Sequence, residues 1–475
     1  MTGILGPMRI LFASSEVYPF SKTGGLADVV SALPEALVAL GHEVLVVSPW
    51  YKTLKPSSAG HLPLWIGDQS VPFDGGTVNC GVGVLESGGV RYAFVGNALF
   101  ERDTLYGYSD DVRRFCLFTR AVPQVAARLG FVPDVAHAHD WHAGYLPAVL
   151  QHGYHLPDGF AFTPSVFTIH NVQYQGSSGI DEALYWLRLP GALSGSYINR
   201  FGSANAMQAA LGFAHHVTTV SPTYAQEIQT AAFGYGLDGT LRHISDKLSG
   251  ILNGIDTGVW NPASDPNLPR QYSGVDAEAK LENKDVLCQR FHLDSSKPLL
   301  AVVSRLADQK GIDIFIEAIP ELLWQDWNVL VLGSGEAGLE DALRAHTAAH
   351  PGRVASYIGY DEGLAHHVYA AADALCVPSR FEPCGLTQMI AMRYGSLPIA
   401  RATGGLVDTI DHDRTGFLFE HAEPAGLLWA TGVARGAHSA PEHWHYMMKQ
   451  AAAEDFTWRT SAQRYADVYE AVGRQ

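Results

Sequence analysis

Thr23-Gly24-Gly25-Leu26-Ala27-Asp28 recurs, with one residue changed, as Thr403-Gly404-Gly405-Leu406-Val407-Asp408. Each copy is expected to lie just after a strand-like run and just before a helix-like one. A Gly-Gly turn lets the main chain approach a ligand with no Cβ in the way, and amides at a helix start point outward with the positive end of its dipole. Each copy therefore has the layout of an anion-binding turn. Taken singly, T-G-G is also ordinary strand-to-helix punctuation, with Asp28 and Asp408 complementing helix dipoles. Two such turns near opposite ends of the chain predict two similar sheets sharing one charged ligand.

Other residues fit the same ligand. Lys22 precedes the first turn, Arg305 ends the run LLAVVSR, and Lys310 follows five residues later. Three cations beyond strand ends suit a diphosphate, Arg as a two-pronged donor and Lys as a point charge. Glu382 lies in Ser379-Arg380-Phe381-Glu382-Pro383-Cys384-Gly385-Leu386, directly after the apolar run ALCVP. A carboxylate there either holds sugar hydroxyls or serves a helix start as cap or dipole partner, with Gly385 opening the helix.

The elements that must position these groups alternate along the chain. Strand-like runs fall at Arg9 to Ala13, Glu43 to Ser48, Arg91 to Val95, Val135 to His139 and Ser165 to Ile169, with helix-like segments between them. That is the rhythm of a mostly parallel sheet covered by helices. Leu26 to Leu40 has helical period but holds Pro34, which predicts a kink or a boundary. Gly250 to Pro266, rich in Gly, Asn, Asp and Pro, predicts a crossing between domains. A second series follows at Leu299 to Ser304, Val329 to Leu332, Ala355 to Gly359, Ala374 to Pro378 and Leu397 to Ala400. In doubly wound sheets, ligands sit beyond the carboxyl ends of the strands.

Composition limits the function. A chain of 475 residues with 47% hydrophobic content divides into two or three domains. A net charge of −16 argues against a general nucleic-acid or anionic-membrane partner. The five cysteines are scattered, with no C-x-x-C spacing, so neither a disulfide framework nor a zinc site is predicted. With no secretory leader pattern and no apolar run of about 18 residues, a cytoplasmic protein is expected.

Six motifs then converge: K-T-G-G-L at Lys22 to Leu26, H-A-H-D-W-H at His137 to His142, F-T-I-H-N at Phe167 to Asn171, N-G-I-D at Asn253 to Asp256, S-R-L-A-D-Q-K-G at Ser304 to Gly311, and P-S-R-F-E-P-C-G-L-T-Q at Pro378 to Gln388. In this order, and followed by the second T-G-G-L, they resemble the bacterial glycogen synthases and plant starch synthases, retaining glucosyltransferases that use ADP-glucose. The resemblance runs from about Arg9 to the C-terminus. It implies an α/β GT-B fold, two Rossmann-like doubly wound parallel-sheet domains facing across a cleft. The expected parts are an acceptor-side domain over residues 1–250, a donor-side domain over 251–456, and a C-terminal helix over 457–475 that crosses back to the first.

By position, the resemblance implies that Lys22, Gly24 and Gly25 contact the donor, that Arg305 and Lys310 face its distal diphosphate, and that Glu382 holds the transferred glucose. Cys384, Gly385 and Leu386 with Thr403 and Gly404 match the phosphate-binding helix start, and Tyr360 the residue that lies on adenine. His170 matches the group against the anomeric centre, Asp140 and Trp141 match sugar-side or acceptor-side positions, and Asn171 falls on the same side. Partners implied are ADP-glucose and α-1,4-glucan (glycogen), with no nucleic acid, no membrane and no metal cofactor. In related retaining families a second Glu follows eight positions after the first; Ile390 stands there instead, so the ribose must be held otherwise.

Three constellations point elsewhere. His137, His139, Asp140 and His142 have metal-ligand chemistry, but His137 and His139 alternate with Ala on an apolar strand, which predicts a structural or substrate-contact role. Asp411-His412-Asp413 imitates the D-x-D motif of metal-using glycosyltransferases but falls in a polar turn. Gly333-Ser334-Gly335-Glu336-Ala337-Gly338 fits the dinucleotide fingerprint, with Asp361 as a loose candidate for its acid. It supports a rival reading as an NAD-linked oxidoreductase. A non-catalytic glucan-binding protein is the non-enzyme alternative.

Overall fold

A computed structural model describes residues 6–474. The chain forms two compact units, one running to Gly254 and resuming from Trp458, the other spanning Ile255–Thr457.

The first unit is built on a nine-stranded sheet and a small three-stranded one. Its strands are β1 (Arg9–Ala13), β2 (Glu43–Pro49), β3 (Leu64–Phe73), β4 (Gly76–Ser87), β5 (Val90–Gly96), β6 (Val135–His139), β7 (Ser165–Ile169), β8 (Ser177–Ser178), β9 (Asn199–Arg200), β10 (Ser203–Asn205), β11 (His216–Thr219) and β12 (Leu248–Gly250). The large sheet has the order β12-β11-β7-β6-β1-β2-β5-β4-β3, and β8, β9 and β10 form the small one. All the pairings from β12 to β5 are parallel, whereas β3 and β4 add an antiparallel edge. Every residue of β6 and β7 is buried, as expected where helices cover both faces of a parallel sheet.

The predicted boundary at Pro34 does not form. One helix runs Gly25–Ala39 straight through it. Pro34 is buried on the face that carries Leu33 and Leu37, and packing of that face outweighs the single main-chain hydrogen bond that proline removes. The same core holds Trp458, Tyr465 and Tyr469 of the final helix Trp458–Gly473.

The second unit holds six strands: β13 (Leu299–Val303), β14 (Asn328–Gly333), β15 (Val354–Ile358), β16 (Ala374–Val377), β17 (Leu397–Arg401) and β18 (Phe417–Phe419). They are all parallel, in the order β15-β14-β13-β16-β17-β18. Strand order reverses between β13 and β16 here, and between β1 and β6 in the first unit. At such a reversal the flanking loops diverge and leave a crevice beyond the strand ends.

Candidate active site

In the first unit, the candidate residues lie on the loops after β1 and β6. Glu16, three residues beyond β1, is buried and collects four donors: Thr23 N at 2.5 Å, Thr23 Oγ1 at 2.6 Å, Gly24 N at 3.3 Å and Tyr106 Oη at 2.7 Å. It thereby pins the first T-G-G turn to the end of β1. That turn does not follow the strand directly, since the chain first makes a Val17–Ser21 bridge. Gly24 is the extended N-cap of the helix Gly25–Ala39, and a Cβ on Gly24 or Gly25 would meet nothing within 4 Å. Lys22 is partly exposed, its Nζ 2.6 Å from Asp28 Oδ1.

Beyond β6, Asp140 adopts φ 53°, ψ 177°, a region sparsely populated outside glycine and one that needs support from its surroundings. Its own amide donates to Thr168 O at 3.0 Å, and its Oδ1 accepts from His170 N at 2.8 Å and Asn171 N at 3.3 Å. Asp140 thus ties the end of β6 to the end of β7. Burial pushes its carboxyl up to about 7, against those two amides, which favour the anion.

His170 Nε2 lies 3.0 Å from Nδ1 of the buried His139. His137 lies within 4.0 Å of His139 between ring centres and bonds Tyr469 Oη at 2.8 Å and Thr168 Oγ1 at 2.6 Å. Burial pushes His170 down to about 3 and holds His137, His139 and His142 well below the usual imidazole range. Burial favours the neutral form of these rings, and His137 is tied to Tyr469 and Thr168 inside the fold. Trp141 packs edge-on to Phe115 at 5.3 Å, and a Cβ on Gly176 would sit 2.1 Å from its ring.

In the second unit, the candidate residues lie on the loops after β13 and β16. Glu382 is 6% exposed, and its Oε2 accepts from Lys310 Nζ at 2.6 Å and Ser379 Oγ at 2.9 Å. Gly311 sits at φ 63°, and a Cβ there would lie 2.0 Å from Pro378 O; only glycine lets the two loops come this close. The second T-G-G turn closes on the same loop. Gly405 N donates to Glu382 O at 3.1 Å, and a Cβ on Gly404 would lie 1.9 Å from that oxygen. Thr403 is the buried N-cap residue of the helix Gly404–Thr409.

Gly385 does not open a helix. It holds φ 72°, a left-handed corner, and the helix Thr387–Arg393 begins after Leu386 as N-cap. Buried Cys384 accepts from Gln388 Nε2 through its main-chain oxygen at 3.1 Å. Ile390 is buried in that helix. Arg305 is exposed and reaches Gln309 Oε1 at 3.5 Å, while Tyr360 is 78% exposed beyond β15.

The competing motifs resolve locally. Cβ atoms on Gly333 and Gly335 would lie 1.9 Å from Ser304 O and 2.1 Å from Leu306 O, so these glycines admit the neighbouring loop. Asp361 caps the helix Glu362–Ala371 by accepting from Leu364 N at 2.9 Å. Asp411 takes Arg414 Nε at 2.5 Å, and Asp413 turns the chain at φ 65°. Among the described residues, no three His, Cys, Asp or Glu residues are grouped to hold a metal ion.

A profile described as the starch synthase catalytic domain matches residues 9–243, and one for glycosyl transferases group 1 matches residues 297–432. A glycogen synthase of Deinococcus deserti is 47% identical over 468 residues, 98% of this chain and 99% of that one. The chain belongs to the starch and glycogen synthase family. As a member, it is a glycosyltransferase of GT-B fold. A glycogen synthase of Geobacillus stearothermophilus is 42% identical over 98% of this chain and 97% of its own length. The catalytic domain of Arabidopsis thaliana starch synthase IV, solved with ADP and acarbose, superposes with TM-score 0.90 at 34% identity, covering 99% of this chain and 100% of that one. Sucrose-phosphate synthase of Thermosynechococcus elongatus, at TM-score 0.62 and 17% identity over 98% of this chain and 99% of its own, shares the fold.

Within this glycosyltransferase, sequence reasoning missed Glu16 and Tyr106. The rule that drew attention to Arg305 and Glu382, inspection of residues just past strand ends, applies equally to Glu16 after β1.

Proposed function

We propose that the chain transfers glucose from ADP-glucose to the non-reducing 4-OH of an α-1,4-glucan with retention of configuration. The observation that carries this reading is the Lys310–Glu382 pair at the reversal between β13 and β16, in a chain 47% identical to a glycogen synthase. Arg305 and Lys310 draw on the donor diphosphate with the Gly385–Leu386 and Thr403–Gly404 main chain, Lys22 and the Gly24–Gly25 turn serve as further donor contacts, and Tyr360 lies on the adenine. Glu382 holds the glucose hydroxyls. The first unit supplies the acceptor side through Trp141 and Asn171.

In the reaction the bond from the anomeric carbon to the phosphate oxygen breaks, and one to the acceptor oxygen forms on the same face. The acceptor proton passes to the departing phosphate, and ADP leaves. Negative charge grows on the diphosphate as positive charge grows on the sugar, so cations aimed at the phosphate act most strongly in the transition state. Neutral His170 suits a position beside that sugar, because an imidazolium would oppose the developing positive charge. Asp140 fixes the main chain of His170 through its amide. No carboxylate nucleophile of the glycosidase kind is needed.

This reading needs no divalent cation and places the enzyme in the cytoplasm, with neither nucleic acid nor membrane as partner. The net charge of −16 and five free, buried cysteines support it. No helix among the described residues is long and apolar enough to cross a membrane. Steady-state kinetics with ADP-glucose and UDP-glucose in chelator test the donor. A higher kcat/KM for UDP-glucose, or loss of activity to chelator, overturns that part of the reading.

A further inference from the structure

A cavity of about 640 Å3 opens beside β17 and β18, lined by Trp429, His412, Glu420, His421 and Glu423 among others. Its lining starts at Ala402, next to Thr403 just past the end of β17, and continues over β18 and the helix Pro424–His438, on the opposite side of β17 from β16, whose loop carries Glu382. Trp429 is 56% exposed, and its indole is within 7° of parallel to the His412 imidazole, 6.0 Å away between centres. His412 is held in place by Leu418 N, which donates to its Nδ1 at 2.9 Å. The His412 ring is thus oriented before any ligand arrives, with the Trp429 indole parallel to it.

The polar groups decide the ligand's chemistry. Glu420 and Glu423 are exposed acceptors, and the lining includes no lysine or arginine. Glu423 also occupies the N-cap of the helix Pro424–His438, setting a carboxylate where an anion would otherwise be drawn. A phosphate or nucleotide is disfavoured. A neutral polyol with one apolar face suits the site, its C–H face on the rings and its hydroxyls on the carboxylates. The volume falls in the range of sites for ligands of this size.

We propose that this cavity is a second carbohydrate site that holds a stretch of α-glucan while another chain end is extended. The proposal rests on the reading that the acceptor is an α-1,4-glucan. Isothermal titration of the full chain with maltoheptaose should lose one site in Trp429→Ala. The KM for glycogen should rise at least ~5-fold, with kcat and the KM for ADP-glucose within about twofold of the parent. Glu423→Gln, which keeps the rings, should give a smaller rise. Unchanged stoichiometry and unchanged KM for glycogen in both variants overturn the proposal, as does loss of an ADP site in their place. A parent that binds maltoheptaose through Trp429 but transfers no glucose would leave the cavity assigned and overturn the function.

Discussion

Lys310 Nζ lies 2.6 Å from Glu382 Oε2, joining the loop after β13 to the loop after β16 where the strand order reverses. The carboxylate is buried and has one further donor, Ser379.

Removing either partner should act differently. Glu382→Ala should lower kcat by ~10²-fold or more while changing the donor KM little, as for loss of a group that acts in the transition state. Lys310→Ala should raise the donor KM, lower kcat and destabilise the second unit by about 1–3 kcal/mol, because it leaves a buried carboxylate short of a partner. Steady-state kinetics and denaturant unfolding check both. A folded Glu382→Ala protein with parental kcat would reduce Glu382 to a structural role.

The two T-G-G turns should respond unequally to one methyl group. At Gly404, φ is 47° and a Cβ would lie 1.9 Å from Glu382 O, so Gly404→Ala should displace the Glu382 loop and lower kcat by ~10²-fold. At Gly25 a Cβ meets nothing, so Gly25→Ala should keep the parental melting temperature. Equal thermal stability and equal kcat in both variants would contradict the close contact.

Much of this was legible in the sequence because parallel strands buried on both faces read as unbroken apolar runs. β6 and β7 coincide with the runs Val135 to His139 and Ser165 to Ile169. The hairpin β3–β4 was not legible, since Gly67, Pro72, Gly81 and Gly83 read as loop residues. Gly83 is there because a Cβ would strike Trp50 at 2.1 Å, a demand set by a distant side chain. The T-G-G turns were found as a like pair, but sequence could not show that Glu16 pins one while the other closes on Glu382.

Glu16 offers a third test. Glutamine keeps its size but has one acceptor oxygen for Thr23, Gly24 and Tyr106. Glu16→Gln should therefore loosen the first turn, lowering kcat by ~10-fold with smaller change in the glycogen KM. Parental kcat with an unchanged melting temperature would show that the turn does not depend on this carboxylate.

The buried imidazoles set a pH dependence. His137, His139, His142 and His170 are held below their usual range in the folded chain, so below about pH 6.5 only the unfolded chain protonates them. Their stabilisation is present above that pH and is lost as pH falls. Asp140, raised to about 7, has the opposite sign: it favours the folded chain in acid, and that contribution is lost as pH rises through 7. Four groups oppose one, so unfolding at pH 6 should take up protons, with stability falling toward pH 5 by about 1.4 kcal/mol per pH unit for each histidine. Unfolding in weakly buffered solution with a pH indicator measures this. Net proton release would refute the assignment.

Glucosyl transfer from ADP-glucose to a glucan is read most directly from its two products. Incubation with ADP-glucose and glycogen should release ADP only when glycogen is present, and proton NMR should show each new linkage as α-1,4. ADP release that does not require glucan, a β-linked product, or reduction of NAD without ADP release would contradict it.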